Sequence, residues 1–97
     1  MDEQTVRPYA EAHGAAVVAG DMAHVLADID PDLHPHMGPV VDALPKPTTG
    51  AEVVSVEPGD QAAVVLIRYS GADSETVVRS VWEDRGGRPL IVEAVPQ

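Results

Sequence analysis

The stretch QAAVVLIRYS at residues 61–70, followed after a short break by SETVVRSVWED at residues 74–84, decides the fold. Both runs are rich in β-branched and aromatic residues, which is typical of strands. Similar runs lie on either side, at residues 51–57 and 88–95. The breaks between the four runs are short and contain glycine, at residues 58–60, 71–73 and 85–87. Such connections leave no room for crossover helices, so the sequence predicts an antiparallel meander of four strands.

Side-chain pairing indicates how these strands fit together. Three-residue loops would place Leu66 beside Val78 and Arg79 opposite Glu93, a pair of opposite charges. One sheet face would then carry Leu66, Val78, Trp82 and Leu90, and the other would carry Ile67, Tyr69, Arg79, Ile91 and Glu93. Both faces are largely apolar, whereas a sheet covered on one side alternates apolar with polar residues. We therefore expect helices on one face and a second copy of the chain on the other.

The N-terminal half has the spacing of helices. Apolar and aromatic residues recur at helical intervals over residues 5–19, and they include Val6, Tyr9, Ala10, His13, Ala16 and Val17. Gly20 and Asp21 then supply a stop and a new N-cap, which predicts a second helix over residues 22–29. Residues 30–36 read as a loop and residues 37–44 as a third helix. The predicted fold class is α+β, with three N-terminal helices packed on the four-stranded sheet in one domain, residues 1–97.

Composition narrows the function classes. The chain has 97 residues with a formal net charge of −10, which disfavours binding to nucleic acids and anionic membranes. There is no cysteine, so disulfides and thiolate chemistry are excluded. The sequence shows no signal peptide and no apolar run near the ~20 residues of a membrane span, so a cytoplasmic location is expected.

The order of elements, together with a last hairpin that reads RSVWEDRGGRPLIV at residues 79–92, resembles the nuclear-transport-factor-2-like superfamily. That superfamily has a cystatin-like α+β fold and includes ketosteroid isomerase and polyketide cyclases. The resemblance implies a pocket between the first helix and a curved sheet, and dimers through the sheet. The chain departs from the family in having only residues 30–36 where an early hairpin is usual. Tyr9 loosely matches the isomerase tyrosine, but no strand aspartate matches the second oxyanion donor, so the catalytic constellation is not carried over.

Five residues are candidates for lining a pocket: Tyr9, His13, Met37, Arg79 and Glu93. Tyr9 and His13 lie one helical turn apart, which suits a proton donor beside a general base. The alternative interpretation is a tyrosine packed at the core edge and a histidine satisfied by backbone groups. Arg79 and Glu93 form either the floor of a polar pocket or an ordinary cross-strand pair.

Residues 30–36 are the candidate for a metal site in this sequence. His34 and His36, with Asp30 and Asp32, have the residue types of zinc ligands, but no further histidine stands at a helix-defined spacing from them. We therefore expect no metal. No phosphate-binding loop or nucleophile elbow is present, and no cofactor is expected.

These observations favour a small dimeric binding or interaction module without identifiable catalytic residues. The alternative is an isomerase- or cyclase-type enzyme acting on a small apolar molecule through Tyr9 and His13, and a third possibility is a structural partner in hetero-oligomers. The predicted dimer interface consists of Leu66, Val78, Trp82 and Leu90. We expect the third helix, through Met37, Val40 and Val41, to close much of the space that a pocket would need.

Overall fold

The computed structural model describes the whole chain, Met1 to Gln97. In order, the elements are α1 (Glu3–Ala19), α2 (Met22–Ala27), a 3₁₀ helix (Pro31–His36), α3 (Gly38–Ala43), β1 (Gly50–Glu57), β2 (Ala62–Ser70), β3 (Glu75–Arg85) and β4 (Arg88–Pro96). The strands form one antiparallel sheet in the order β1-β2-β3-β4. The predicted α+β fold class, with helices packed on a meander, is confirmed.

Side-chain caps set the helix boundaries. The Asp2 carboxylate accepts a hydrogen bond from the Thr5 amide at 2.8 Å, so α1 begins at Glu3 rather than at the predicted Thr5. Gly20, with φ of 71°, ends α1, and the Asp21 carboxylate accepts from the His24 amide to begin α2. These caps produce the tight turn between the two helices.

Residues 31–36 form a 3₁₀ helix, so the prediction of an irregular loop was wrong there. Pro31 suits a first helical position, and the Asp30 carboxylate accepts from the Asp32 amide at 2.9 Å. Just before it, the Asp30 amide donates to the Ile91 carbonyl, and the Ile91 amide donates to the Asp28 carbonyl. These two bonds fix the end of α2 against β4.

The loop between β2 and β3 is one residue longer than predicted. Ser70 pairs with Glu75, and the Gly71 amide donates to the Ser74 carbonyl at 2.8 Å, which closes the loop over residues 71–74. Ile67 therefore pairs with Val78, and the predicted register was wrong by one residue. A shift of one residue moves every side chain of a strand to the opposite face.

The turn between β3 and β4 is one residue shorter than predicted. Arg85 pairs with Arg88, leaving a two-residue turn in which Gly86 and Gly87 have φ of 67° and 93°. Two consecutive residues at positive φ are characteristic of the tightest hairpins and favour glycine. The predicted register, which set Arg79 opposite Glu93, was therefore also wrong, because Arg79 pairs with Val95.

These shifts sort the side chains between two faces. The inner face, packed under the helices, carries buried residues: Ala63, Val65, Ile67, Tyr69, Val78, Ser80, Trp82 and Ile91. The outer face carries partly exposed ones: Val64, Leu66, Val77, Arg79, Val81 and Leu90. The four predicted interface residues therefore do not share a face, because Val78 and Trp82 are buried beneath the helices.

The two register errors together leave the first half of β4 on its predicted face of the sheet. Ile91 lies on the inner face with Ile67, as predicted, because two one-residue shifts restore the original side. A bulge then occurs, since Val81 pairs with Glu93 while Trp82 pairs with Ile91. The extra residue reverses the alternation, so Glu93 lies on the outer side.

The core lies between α1 and the inner face. Trp82 is fully buried, and its indole N–H donates to the Ser80 hydroxyl, which donates to the Val65 carbonyl. Gly14 allows α1 to approach β1 closely, because a Cβ there would lie 3.0 Å from the Ala51 Cβ. No helix is both long and apolar enough to cross a membrane.

Candidate functional site

A cavity of about 380 Å³ remains between the helices and the inner face. Of its 21 lining residues 14 are hydrophobic, including Val17, Val25, Ile29, Met37, Val40, Ile67, Val78, Ile91 and Ala94. Met22 and Val41, which are 56% and 49% exposed, stand at its mouth. Its volume falls within the ~300–1,000 Å³ of small-molecule sites. This space is the helix–sheet cavity, and it is the candidate functional site.

A buried carboxylate organises the polar groups beside the cavity. Asp28 follows the last turn of α2, and its side chain is only 2% exposed. One oxygen accepts from the Arg88 guanidinium at 2.6 Å, and the other lies 2.9 Å from His13 Nδ1. His24, one turn earlier on α2, approaches the second oxygen at 3.4 Å. Side chains from α1, α2 and β4 thus meet at one carboxylate.

The charge state of Asp28 follows from these contacts. Burial alone would raise the pKa of the carboxyl, but the hydrogen bonds from His13 and Arg88, aided by the nearby His24, lower the pKa below its usual range. The ionised carboxylate can only accept hydrogen bonds, so His13 Nδ1 carries the proton and donates. The Asp28 contact therefore fixes the ring, and Nε2 is the nitrogen left for other partners.

Two polar atoms are open to the cavity. His13 Nε2 and the Tyr69 hydroxyl belong to buried residues of the lining, and neither forms a hydrogen bond within the chain. Every fully enclosed side-chain nitrogen or oxygen of the protein does have a partner, so these two atoms are not fully enclosed. The His13 ring also packs edge-on against Trp82, with the ring centroids 5.8 Å apart.

Tyr69 is held in its protonated form. Burial raises the pKa of the phenol, and the negative charge of nearby Asp28 raises it further. The hydroxyl therefore remains a hydrogen-bond donor throughout the neutral range. His13 and Tyr69 both line the helix–sheet cavity, so a single bound molecule can contact both side chains.

The remaining polar groups of the lining already have partners. Lys46 Nζ donates to three backbone carbonyls at the end of α3, those of Val41, Asp42 and Leu44. The Thr48 hydroxyl donates to the Pro45 carbonyl, and the Ser80 hydroxyl is used by the indole and by Val65. The cavity thus offers an apolar wall and two free polar atoms.

The structure separates the predicted pocket residues. His13 and Met37 line the cavity, whereas Tyr9 does not. Tyr9 is 38% exposed at the edge of the apolar stripe of α1, where its ring lies 5.1 Å from the Arg88 guanidinium carbon. The predicted sharing of one cavity by Tyr9 and His13 was therefore wrong.

Arg79 and Glu93 also lie away from the cavity. The one-residue shift of β3 and the bulge in β4 place both on the outer side of the sheet, where their side chains are 3.5 Å apart and partly exposed. They form the ordinary cross-strand pair of the two interpretations considered. The expected closure by α3 is incomplete, because Met37, Val40 and Val41 line the cavity without filling it.

Sequence reasoning missed the two residues that matter most beside His13. Asp28 resembles any acidic residue at a helix end, and its burial depends on contacts with α1 and β4 that lie far away in sequence. Tyr69 was placed on the same face as Ile67, and this alternation was the available signal for it.

The histidines of residues 30–36 have other surroundings. His34 Nε2 lies 3.1 Å and 3.0 Å from the Leu26 and Ile29 carbonyls at the end of α2, and His36 is exposed. No group of three or more histidine, aspartate or glutamate side chains is arranged to hold a metal ion.

Comparison of the chain with protein-family models, curated proteins and solved structures finds no match in any of the three. The function is therefore inferred from the geometry of the helix–sheet cavity.

Proposed function

We propose that the protein binds a small, predominantly apolar molecule in the helix–sheet cavity. The observation that carries this proposal is a space of about 380 Å³ whose lining is mostly hydrophobic and includes a few polar groups. A chain that acted only through its surface would gain stability by filling this volume, since empty space forfeits packing contacts. A retained cavity of this composition is the usual form of a small-molecule site.

We also infer that the chain is a shortened member of the nuclear-transport-factor-2-like superfamily. The support is the element order, the position of α1 across β1 and β2, and the cavity between the helices and the sheet. The segment that replaces the usual early hairpin is the 3₁₀ helix Pro31–His36, which is hydrogen-bonded to the end of α2.

The proposed binding module is a homodimer that pairs through the outer sheet face. Apolar side chains of β2, β3 and β4 are partly exposed there, and soluble monomers rarely leave a wide apolar patch uncovered. Leu66 and Leu90 of the original prediction lie on this face, together with Val64 and Val81. Val78 and Trp82 are no longer candidates because they are buried under the helices.

A second candidate function is proton transfer to or from the bound molecule. It is favoured by the 2.9 Å contact between Asp28 and His13 Nδ1, which leaves Nε2 open to the cavity. Such a histidine has the position of a general base oriented by a carboxylate, and the Tyr69 hydroxyl could donate to a developing oxyanion. In this form the isomerase- or cyclase-type alternative uses His13 with Tyr69, not with Tyr9.

The binding proposal is tested by NMR titration with toluene. We expect toluene to shift the signals of Met37, Val40 and Ile67, which line the cavity. The variant Ala94→Phe places a ring inside the cavity and should abolish these shifts. The matched control is Val95→Phe, whose side chain is exposed at the neighbouring position and should leave binding unchanged. Unshifted cavity signals in the wild type, or equal shifts in both variants, would count against the proposal.

A further inference from the structure

The helix–sheet cavity has no free charge to offer a ligand. The Lys46 ammonium is held by three carbonyls, and the Arg88 guanidinium is held by Asp28. Both Asp28 oxygens are in turn occupied, one by Arg88 and the other by His13 and His24. A carboxylate or phosphate would lose its hydration without gaining a cationic partner, and an ammonium group would find no free carboxylate. The ligand should therefore be neutral.

The two open polar atoms specify the ligand further. In the neutral ring, His13 Nε2 accepts a hydrogen bond because Nδ1 already donates to Asp28. The buried Tyr69 hydroxyl needs an acceptor. One ligand group that donates to the first atom and accepts from the second would satisfy both. A hydroxyl is the smallest neutral group with this property.

We propose that the ligand is a neutral alcohol or phenol whose hydroxyl hydrogen-bonds to His13 Nε2 and Tyr69 Oη, the two unpartnered polar atoms of the lining, while its hydrocarbon part packs against the apolar wall. This assignment rests on the proposed binding function and names the chemical class that the site recognises. A buried polar group left without a partner is costly, so the two open atoms discriminate against ligands that lack a hydroxyl.

The test compares phenol with toluene, which has nearly the same shape, and with benzoate and benzylammonium as charged probes. Dissociation constants are measured by NMR titration. We expect phenol to bind the wild type at least as tightly as toluene, although its hydroxyl must leave water, and both charged probes to bind more weakly than phenol. Tighter binding of either ion would overturn the assignment of a neutral ligand.

Two variants locate the hydroxyl. Tyr69→Phe removes only the phenolic oxygen, and His13→Asn keeps a donor near the Nδ1 position but removes Nε2. Each should reduce the preference for phenol over toluene by about 3- to 10-fold, the equivalent of one hydrogen bond. Tyr9→Phe is the matched control, because Tyr9 lies outside the cavity and its variant should leave the preference unchanged.

The outcomes separate this inference from the function on which it rests. Toluene binding in the cavity, with a phenol preference that is the same in the wild type, Tyr69→Phe and His13→Asn, would overturn the hydroxyl assignment and leave the binding function standing. Absence of binding by phenol and toluene alike would overturn both. If the two variants lose the preference for phenol over toluene but keep their affinity for toluene, the hydroxyl assignment and the binding function are both supported.

Discussion

Asp28 shows how one residue can connect the fold to the candidate site. Its carboxylate joins α1 through His13 and β4 through Arg88, while its backbone carbonyl accepts from Ile91. The same contacts orient His13 toward the cavity. The helical spacing of α1 was enough to predict that His13 points inward, but the burial of Asp28 is a tertiary effect and has no local pattern.

The variant Asp28→Asn should lower the free energy of unfolding at pH 7 by about 2–4 kcal/mol, because it leaves the buried His13 and the partly exposed Arg88 guanidinium without their anion. The pKa of the Asp28 carboxyl is lower in the folded protein than in the unfolded chain, so the ionised carboxylate stabilises the fold at any pH above its unfolded-state pKa. This stabilisation is lost as the pH falls through the folded-state pKa. The difference between wild type and variant should therefore shrink below about pH 4. Urea unfolding across this pH range measures it.

The control for this prediction is Asp73→Asn, at an exposed loop residue, which should change stability by less than about 0.5 kcal/mol. A wild type and an Asp28→Asn variant with equal stability at pH 7 would show that the carboxylate contributes no net stabilisation. A difference that grew on acidification would contradict the direction of the pKa shift.

At the scale of elements, the positions of the strands could be predicted but their pairing could not. β-branched runs and glycine-containing breaks indicated all four strands. The register depended on single hydrogen bonds, such as that from Gly71 to Ser74, and on the positive φ of Gly86 and Gly87. One residue more or less in a loop moves all the side chains of the next strand to the opposite face of the sheet. Val78 and Trp82 were therefore assigned to the wrong face.

The close approach of α1 to β1 can be tested at Gly14. Valine there would drive its Cβ within 3.0 Å of the Ala51 Cβ, with further methyl groups beyond, so we expect Gly14→Val to lower the free energy of unfolding by about 1–3 kcal/mol. Ala15→Val, on the exposed side of the same helix, should cost only the difference in helix propensity, about 0.5 kcal/mol. Equal losses in the two variants, measured by denaturant unfolding, would exclude a steric role for Gly14.

At the scale of the whole molecule, composition and periodicity predicted the fold class, while the extent of the cavity could not be predicted from them. The third helix was expected to close much of the space that a pocket would need, and its residues Met37, Val40 and Val41 do line the cavity. Whether such side chains fill a volume or only surround it depends on shifts smaller than a methyl group, which residue patterns do not encode. The sequence pattern predicted that both faces of the sheet are largely apolar, and the outer face is indeed apolar over much of its area.

The proposed homodimer can be tested by substitutions on the outer face of the sheet. We expect the wild type to have the mass of a dimer in light scattering at micromolar concentration, and Leu66→Glu combined with Leu90→Glu to have that of a monomer, because two charges would be buried in an apolar interface. Val41→Glu, at the exposed mouth of the cavity, is the control and should remain dimeric. A wild type that is monomeric would contradict this prediction without affecting the cavity.

A largely apolar cavity persists between α3 and the inner sheet face, and a crystal structure under xenon pressure tests this most directly. Xenon occupies apolar cavities of this kind, whereas a polar cavity holds ordered water. We predict a xenon peak in contact with Met37, Val40 and Ile67, all residues of the cavity lining. A space closed by side chains, or filled by a hydrogen-bonded chain of water molecules with no xenon, would contradict the account.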